Sequence, residues 1–339
     1  MQNVLDLSII IINWNSSALL RKCLLSIYGN TKRVQYEILV VDNASFDGCC
    51  EMLTEEFPAV RFIQSRENGG FARANNLGFR SALGRMVLFL NPDTEIQGPA
   101  IDRMLQFLET TSDAGLVGAR LLNSDLSTQT SCIQKFPTIV NQAVDAELLR
   151  RLFPKLSLWG IRQLIEAPAS GAAVEVISGA CQMIRREAFE RVGMFDEKFF
   201  MYAEDVDLCY RMFASGRKNY YVGDATVIHH GGQSSGSSPQ SNFSAVVLRE
   251  SLYRFFEKHR GPACGNTYRI TMALVANLRL MLLVCVFILS IGLYRKKTVL
   301  GAFRKWAAVL RWSLGLESWV HHLAPAVATD ALDAGYRVV

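Results

Sequence analysis

Residues 86–95 read MVLFLNPDTE, an apolar run that ends abruptly in polar residues. Val87, Leu88, Phe89 and Leu90 suit a strand covered on both faces. Pro92 cannot donate to a ladder and pushes Asn91 into an extended conformation, so the strand stops there. Open α/β sheets bind ligands just past the carboxyl ends of their strands, which makes Asp93 a candidate metal or phosphate-handling residue. The plainer alternative is that Asp93 and Thr94 cap the next helix.

The same punctuation recurs on either side. Residues 7–12 are a continuous apolar strand ending in Asn13-Trp14-Asn15, after which Ser16 and Ser17 can cap a helix through Leu20, Leu24 and Ile27. Residues 37–41 form a second strand ending in Asp42-Asn43, with a helix at about 47–57 behind it. Residues 60–63 form a third strand, and Asn68-Gly69-Gly70-Phe71 is a glycine turn opening a helix to about residue 83. Helical periodicity at 98–110 and a strand at 116–119 follow. Strands alternating with helices predict an α/β fold with a mostly parallel sheet flanked by helices on both faces.

Residues 123–175 break the rhythm with Pro137, Pro154 and Pro168, and read as a loop-rich insertion. Regular structure resumes at 174–184, with short helices at 186–191 and 206–214. Strands at 219–222 and 225–228 end in His229-His230, before the Gly/Ser-rich stretch 231–244.

At 339 residues the chain is long enough for one large domain plus an appendage, and half its residues are hydrophobic. Its eight cysteines form no C-x-x-C pair and no zinc-like cluster, which suggests a reducing compartment. No basic n-region precedes an apolar h-region at Met1-Gln2-Asn3-Val4, so no signal peptide is expected. The net charge of +5 hides an asymmetry. The segment 258–316 carries ten Lys/Arg and no Asp or Glu, which leaves −5 for the rest and points to a polyanionic surface.

That tail is also apolar. Residues 280–294 form an apolar run 15 long, and reaching back to Ile270 includes Asn277 and Arg279. A spanning helix needs about 20 apolar residues, so a full span is marginal. On a helical wheel over 297–314, Val299, Ala302, Phe303, Trp306, Val309, Leu310 and Leu314 share one face, with Lys297, Arg304 and Arg311 opposite. That pattern suits a helix lying in a membrane interface, the alternative being an ordinary docked helix. The division expected is a catalytic domain at 1–245 and a helical, membrane-associating region at 246–339. The basic residues interleave with an apolar helix instead of lining the sheet, which argues against nucleic acid as a partner.

Four strand ends thus present polar groups to one rim: Asn13/Asn15, Asp42/Asn43, Asn91/Asp93 and His229/His230. A last element, Glu204-Asp205-Val206-Asp207, places three carboxylates at a helix start. They could simply favour the macrodipole, or one could serve as a general base beside a metal site.

In order along 7–235, SIIIINWNS (8–16), EILVVDNASFDG (37–48), ENGGFARANNLG (67–78), VLFLNPDTE (87–95), FFMYAEDVDLCYR (199–211) and VIHHGGQSS (227–235) make the chain resemble a family 2 glycosyltransferase of the GT-A fold. Within that family it resembles bacterial rhamnosyltransferase-like members of cell-surface polysaccharide assembly.

The resemblance implies roles. Asp42 would hydrogen-bond the pyrimidine of the donor, with Asn15 flanking the base. Asn68, Gly69, Gly70, Arg73 and Asn76 would line the nucleotide and sugar. Asn91-Pro92-Asp93 stands in the place of the D-x-D motif, its first acid replaced by Asn91. Asp93 is left as the carboxylate ligand for Mg²⁺ or Mn²⁺, with His229 completing the metal site and His230 as the fallback. Asp205 would be the catalytic base, Glu204 would help hold the acceptor, and Asp207 would be structural. The implied reaction is a single in-line displacement that inverts the anomeric carbon. The implied donor is a dTDP- or UDP-sugar, rhamnose favoured, and the acceptor a glycan, polyprenyl-linked, at the cytoplasmic face of the membrane. A sugar-phosphate nucleotidyltransferase would carry a Gly-rich basic loop where Asn13-Trp14-Asn15-Ser16-Ser17 stands. A non-catalytic nucleotide-sugar-binding subunit would have no need of both Asp93 and Asp205.

Overall fold

The computed structural model describes residues 5–129, 132–144, 171–231, 242–289, 296–323 and 337–338. Its centre is a parallel block: β1 (Leu7–Asn13), β2 (Tyr36–Asp42), β3 (Arg61–Gln64) and β4 (Met86–Leu90), in the spatial order β3-β2-β1-β4. Every residue of β1 and β4 is buried, as continuous apolar runs require when helices cover both faces. Alternation still sorts the side chains. Ile9 and Ile11 pack with α1 (Ser17–Asn30), α2 (Cys49–Glu56) and α4 (Ala100–Thr110), whereas Ile10 and Ile12 face α3 (Gly70–Ser81) and the helices that follow.

Beyond β4 the sheet becomes mixed. β10 (Cys181–Arg185) runs antiparallel between β4 and β6 (Ala114–Leu122), and β11 (Lys218–His229) pairs parallel with β6. The edge strands β5 (Thr94–Gln97) and β8 (Ala172–Val174) run against β11, and β12 (Arg337–Val338) against β3. The six strands β1, β2, β3, β4, β6 and β11 therefore share one direction, and the opposing strands are short. β7 (Ile133–Gln134) and β9 (Val176–Ile177) form a separate pair.

Some expectations change. Thr94 opens β5 and the next helix starts at Ala100, so Asp93 and Thr94 do not cap it. The strands expected at 219–222 and 225–228 are one strand, bulged between Val222 and Thr226. Within the 123–175 insertion, α5 (Ile139–Val144) follows β7. Residues 130–131 and 145–170 of it, and 232–241 of the Gly/Ser-rich stretch, lie outside the described residues.

After α6 (Arg186–Arg191) and α7 (Glu204–Ala214) come three long helices: α8 (Phe243–Arg260), α9 (Pro262–Leu289) and α10 (Lys296–Ser313). They share an apolar core with the sheet, in which Val246, Phe255, Phe256, Tyr268, Met272, Ala308 and Trp312 join Ile10, Phe89 and Leu208. The wheel reading of α10 is corrected here. Trp306 and Val309 pack against Ala276 of α9, so much of that face is docked on the protein. The large exposed apolar surface belongs to α9 instead, from Ile270 to Leu289.

Candidate active site

The carboxyl ends of β1 and β2 meet in a closed polar cluster. The fully buried Asn13 donates from Nδ2 to Asp42 Oδ1 (2.8 Å) and Asp47 Oδ1 (2.9 Å). Asp42, also fully buried, accepts from Gln64 Nε2 (2.8 Å), from the Ser45 and Phe46 backbone N–H groups (3.2 Å each) and from the Ser45 hydroxyl. Burial opposes ionisation of Asp47, but the Ser17 N–H (2.9 Å) and Asn13 hold its carboxyl below the usual range. Asp42, Asp47 and Cys49 come close enough to suggest a cation site. The donors already on both carboxylates, and the burial that pushes the Cys49 thiol up, mark a hydrogen-bond network instead.

Asn43, one residue on, builds the glycine turn. Its Nδ2 donates to Asn68 Oδ1 (2.8 Å), and its Oδ1 accepts the Gly69 N–H (3.2 Å). Asn68 Oδ1 also accepts the Gly70 N–H (3.0 Å). Gly70 has φ +81°, and a Cβ there would collide with the Phe200 carbonyl. That carbonyl accepts the Phe71 N–H (2.7 Å), which binds the turn to the segment before α7. Arg73 pairs with Glu67 (2.6 Å). Asn76 is 1% exposed and bonds Phe195 through both its oxygen (3.1 Å) and its nitrogen (2.9 Å), the latter shared with Glu197 Oε1 (2.9 Å). It clamps the 195–197 loop, a different task from the expected lining of the donor.

On the other side of β1, the Asn91 N–H donates to the Ala180 carbonyl (3.0 Å), and the Asn91 carbonyl accepts the Thr94 hydroxyl (2.7 Å). Asp93, 1% exposed, faces His229, with Oδ1 3.4 Å from Nε2. His229 Nδ1 bonds Gln129 Oε1 (2.8 Å), and Gln129 Nε2 donates to Asn123 Oδ1 (3.2 Å). With Nδ1 as donor to Gln129, a neutral ring offers its Nε2 lone pair on the side facing Asp93. A carboxylate and an imidazole lone pair turned on one point, with the far ring nitrogen anchored, form a donor set that fits a hard divalent cation. His230 points elsewhere, bonded to Glu95 (2.8 Å) and Ser124 (2.8 Å), and drops out as a ligand.

α7 supplies the acids. Tyr202 (φ +68°) and Ala203 (φ +59°) are consecutive left-handed residues directly before Glu204. Asn15, Ala44 and Phe46 on the same rim are left-handed too, a concentration of backbone strain typical of functional sites. Asp205 Oδ2 accepts the Gly179 N–H (2.8 Å) and its Oδ1 the Val206 N–H (2.8 Å). Gly179 adjoins Ala180, so Asp205 is tied through two residues to Asn91. Burial raises the Asp205 carboxyl, against the pull of those N–H groups. Burial, with Asp205 beside it, pushes Glu204 well above the ordinary range. Asp207 is the reverse case. It bonds Arg211 Nε, Lys258 Nζ and His259 Nε2, each at 2.7 Å. Burial would raise its carboxyl, but His259, Arg211 and Lys258 hold it down to about 2.

The structure thus brings Asp42, Asn68, Gly69, Gly70, Asn91, Asp93, His229, Glu204 and Asp205 to one rim, with Asn15 exposed in the turn after β1. Of the supporting groups, Asn13 and Asn43 are the ones that sequence placed on the rim, as polar residues at buried strand ends and without a role of their own; Gln129 and the Gly179 N–H carried no signal.

The chain matches the profile of Glycosyl transferase family 2 over residues 8–193 and that of Glycosyl transferase family group 2 over residues 147–320. The N-acetylglucosaminyl-diphospho-decaprenol L-rhamnosyltransferase of Mycobacterium tuberculosis is 30% identical over 268 residues, covering 75% of this chain and 85% of that protein. Rhamnosyltransferase WbbL of Escherichia coli is 25% identical over 251 residues, covering 71% and 90%. Among solved structures, the mannosyltransferase PcManGT from Pyrobaculum calidifontis, in complex with GDP-Man and Mn2+, superposes with TM-score 0.54 at 16% identity, covering 93% of this chain and 88% of that one. GalNAc-T7 with UDP, GalNAc and Mn2+ gives 0.53 at 18%, covering 76% and 50%. The chain belongs to glycosyl transferase family 2 and is a glycosyltransferase of the GT-A fold.

Proposed function

We propose that the protein moves a sugar, rhamnose before others, from a dTDP- or UDP-sugar to a hydroxyl of a polyprenyl-linked glycan, inverting the anomeric carbon. The observation that carries this reading is the shared rim of Asp93–His229 and Asp205, joined through Asn91, Ala180 and Gly179. The similarity to rhamnosyltransferases, one named for a diphospho-decaprenol substrate, supports the sugar and the lipid carrier.

The pyrimidine ring sits at the Asp42 end of the rim; because the buried Asp42 carboxylate already accepts from Asn13, Ser45, Phe46 and Gln64, one of those donors gives way when it takes the ring N–H. The Asn68-Gly69-Gly70 turn presents backbone close to the diphosphate and sugar, and Arg73 adds positive charge beside it. Asp93 and His229 are the residues that would hold Mg²⁺ or Mn²⁺. When bound, that ion neutralises charge on the departing nucleotide. Asp205 accepts the proton of the acceptor hydroxyl. Its raised carboxyl makes it a stronger base than an exposed aspartate, and the Gly179 and Val206 N–H groups fix its orientation. Glu204 is pushed well up by burial and by Asp205, which favours its protonated form, the form that can donate to an acceptor oxygen. Residues 1–245 act as the catalytic unit, and the region 246–339, packed on it through a shared core, supplies the membrane-associating surface at the cytoplasmic face, where the lipid-linked acceptor lies. The test is a panel of nucleotide sugars offered to purified protein with Mg²⁺ or Mn²⁺, read by donor hydrolysis and thermal shift. Failure of every pyrimidine nucleotide sugar to bind or turn over would overturn the assignment.

A further inference from the structure

α9 is 28 residues long and apolar enough by composition to cross a membrane, yet most of its apolar stretch is not buried against the protein. A core helix of a soluble protein would be mostly buried, so the composition of α9 needs another explanation. Its buried positions, Gly265, Tyr268, Met272 and Ala276, make one stripe that ends well before the helix does. Beyond it, Met281, Leu282, Val284, Val286, Phe287, Ile288 and Leu289 are all exposed.

α10 returns alongside α9. Arg269 Nε donates to the Ser313 carbonyl (3.1 Å), Ala276 packs with Val309, and the Arg279 guanidinium lies 4.2 Å from the Trp306 ring centroid. Partners that rise on one helix as they fall on the other define an antiparallel hairpin. If α9 crossed the bilayer, α10 would have to cross back, carrying the exposed Arg304 and Lys305. The exposed apolar residues run from Ile270 to Leu289, about 30 Å along a helix axis against a hydrocarbon core of about 30 Å, but Asn277 and Arg279 fall midway along that length, where a spanning helix would place them near the bilayer centre. Arg295, Lys296 and Lys297 are consecutive in the sequence between the apolar parts of α9 and α10, and three adjacent cations are costly at the bilayer centre but favourable among anionic headgroups.

We propose that the α9–α10 hairpin is a one-leaflet anchor: it lies along the headgroup boundary of an anionic membrane, immerses the exposed apolar stripe of α9, and does not span. The occupant is lipid because the surface combines exposed apolar side chains with a segment, 258–316, that holds ten cations and no acid. The hairpin is coupled to the catalytic rim through α8. Ser251 Oγ donates to the Met201 carbonyl (2.8 Å), and the Phe243 ring meets Phe200 edge-on at 6.3 Å. The anchor therefore sets the height and tilt of the rim above the lipid.

The test needs neither donor nor acceptor, so it stands or falls apart from the transfer reaction. Full-length protein is floated with phosphatidylcholine vesicles with and without phosphatidylglycerol. Partition is expected to rise with the anionic lipid, and Leu274→Asp/Leu278→Asp/Met281→Asp, all at exposed positions, is expected to weaken it roughly tenfold or more. If that variant loses its far-ultraviolet circular dichroism, Leu274→Ser/Leu278→Ser replaces it. Depth is read from a bimane on the exposed Cys285 in a Cys50→Ser/Cys264→Ser background, quenched by lipids brominated at different depths. Strongest quenching from shallow bromines supports the anchor. Absence of partition, indifference to the substitutions, or strongest quenching at the bilayer centre would overturn it.

Discussion

Asp205 and Asp207 stand two positions apart on one helix, yet their surroundings are opposite. Asp205 is held by two backbone N–H groups beside a second buried acid, and burial raises its carboxyl. Asp207 is ringed by Arg211, Lys258 and His259, and its carboxyl is held down to about 2. The first environment makes a base that can take a proton and release it. The second makes a permanent anion that pins α7 to α8. A run of acids in sequence thus divides into chemistry and architecture, and the side of the helix decides which.

Breaking the crevice side should have the largest effect. Asp205→Asn is expected to lower turnover by about 10²–10⁴-fold with donor affinity unchanged, measured by initial rates and calorimetry. Near-wild-type rates would assign the base elsewhere. On the architectural side, Asp207→Ala leaves Arg211, Lys258 and His259 around a vacated buried site. It should cost about 3–5 kcal/mol in denaturant unfolding, with donor affinity recovered in whatever fraction remains folded.

Two further changes sharpen the contrast. Gln129→Ala frees the His229 ring and should weaken Mn²⁺ affinity by about 10–100-fold, read by titration against donor binding. The same change at His230 should leave that titration nearly unmoved. Glu204→Gln copies the protonated form and should keep activity within about tenfold, so a loss matching Asp205→Asn would exchange the two roles.

The pH profiles should separate as well. Asp205 must be ionised to act, and its carboxyl is raised, so activity should fall with acidification at a higher pH than for an exposed aspartate. Asp207 has a depressed carboxyl. Its contribution to stability is complete above an unfolded value of about 3.9 and is lost as the pH falls toward 2. Loss of activity should therefore precede loss of the fold on acid titration followed by rate and by circular dichroism.

Much of this was legible in the chain itself. Buried strands announce themselves as apolar runs, and a run that stops at Asn-Pro-Asp or at Asp-Asn marks the rim where ligands gather. The parallel block, the glycine turn, Asp42, Asp93 and the Glu204-Asp205 pair follow from that local grammar. The antiparallel insertion of β10 and the edge strand β5 do not, because pairing partners lie far apart in sequence and short apolar runs carry no direction.

Side-chain assignment needed the third dimension for the same reason. His229 and His230 are indistinguishable as letters. At the end of β11 His229 turns to Asp93, and His230, just past the strand, turns to Glu95. The wheel of α10 correctly grouped an apolar face, but an amphipathic pattern states that a face must be covered and not by what. Packing against α9 covers much of it, and the large exposed apolar surface lies on α9. Sequence by itself determined the elements, the rim and the acids, since these rest on contacts between near neighbours and on periodicity. Tertiary structure alone decided which acid has its carboxyl raised and which held down, which histidine faces the carboxylate and which helix keeps an exposed apolar face, since each depends on what a distant segment brings within a few ångströms.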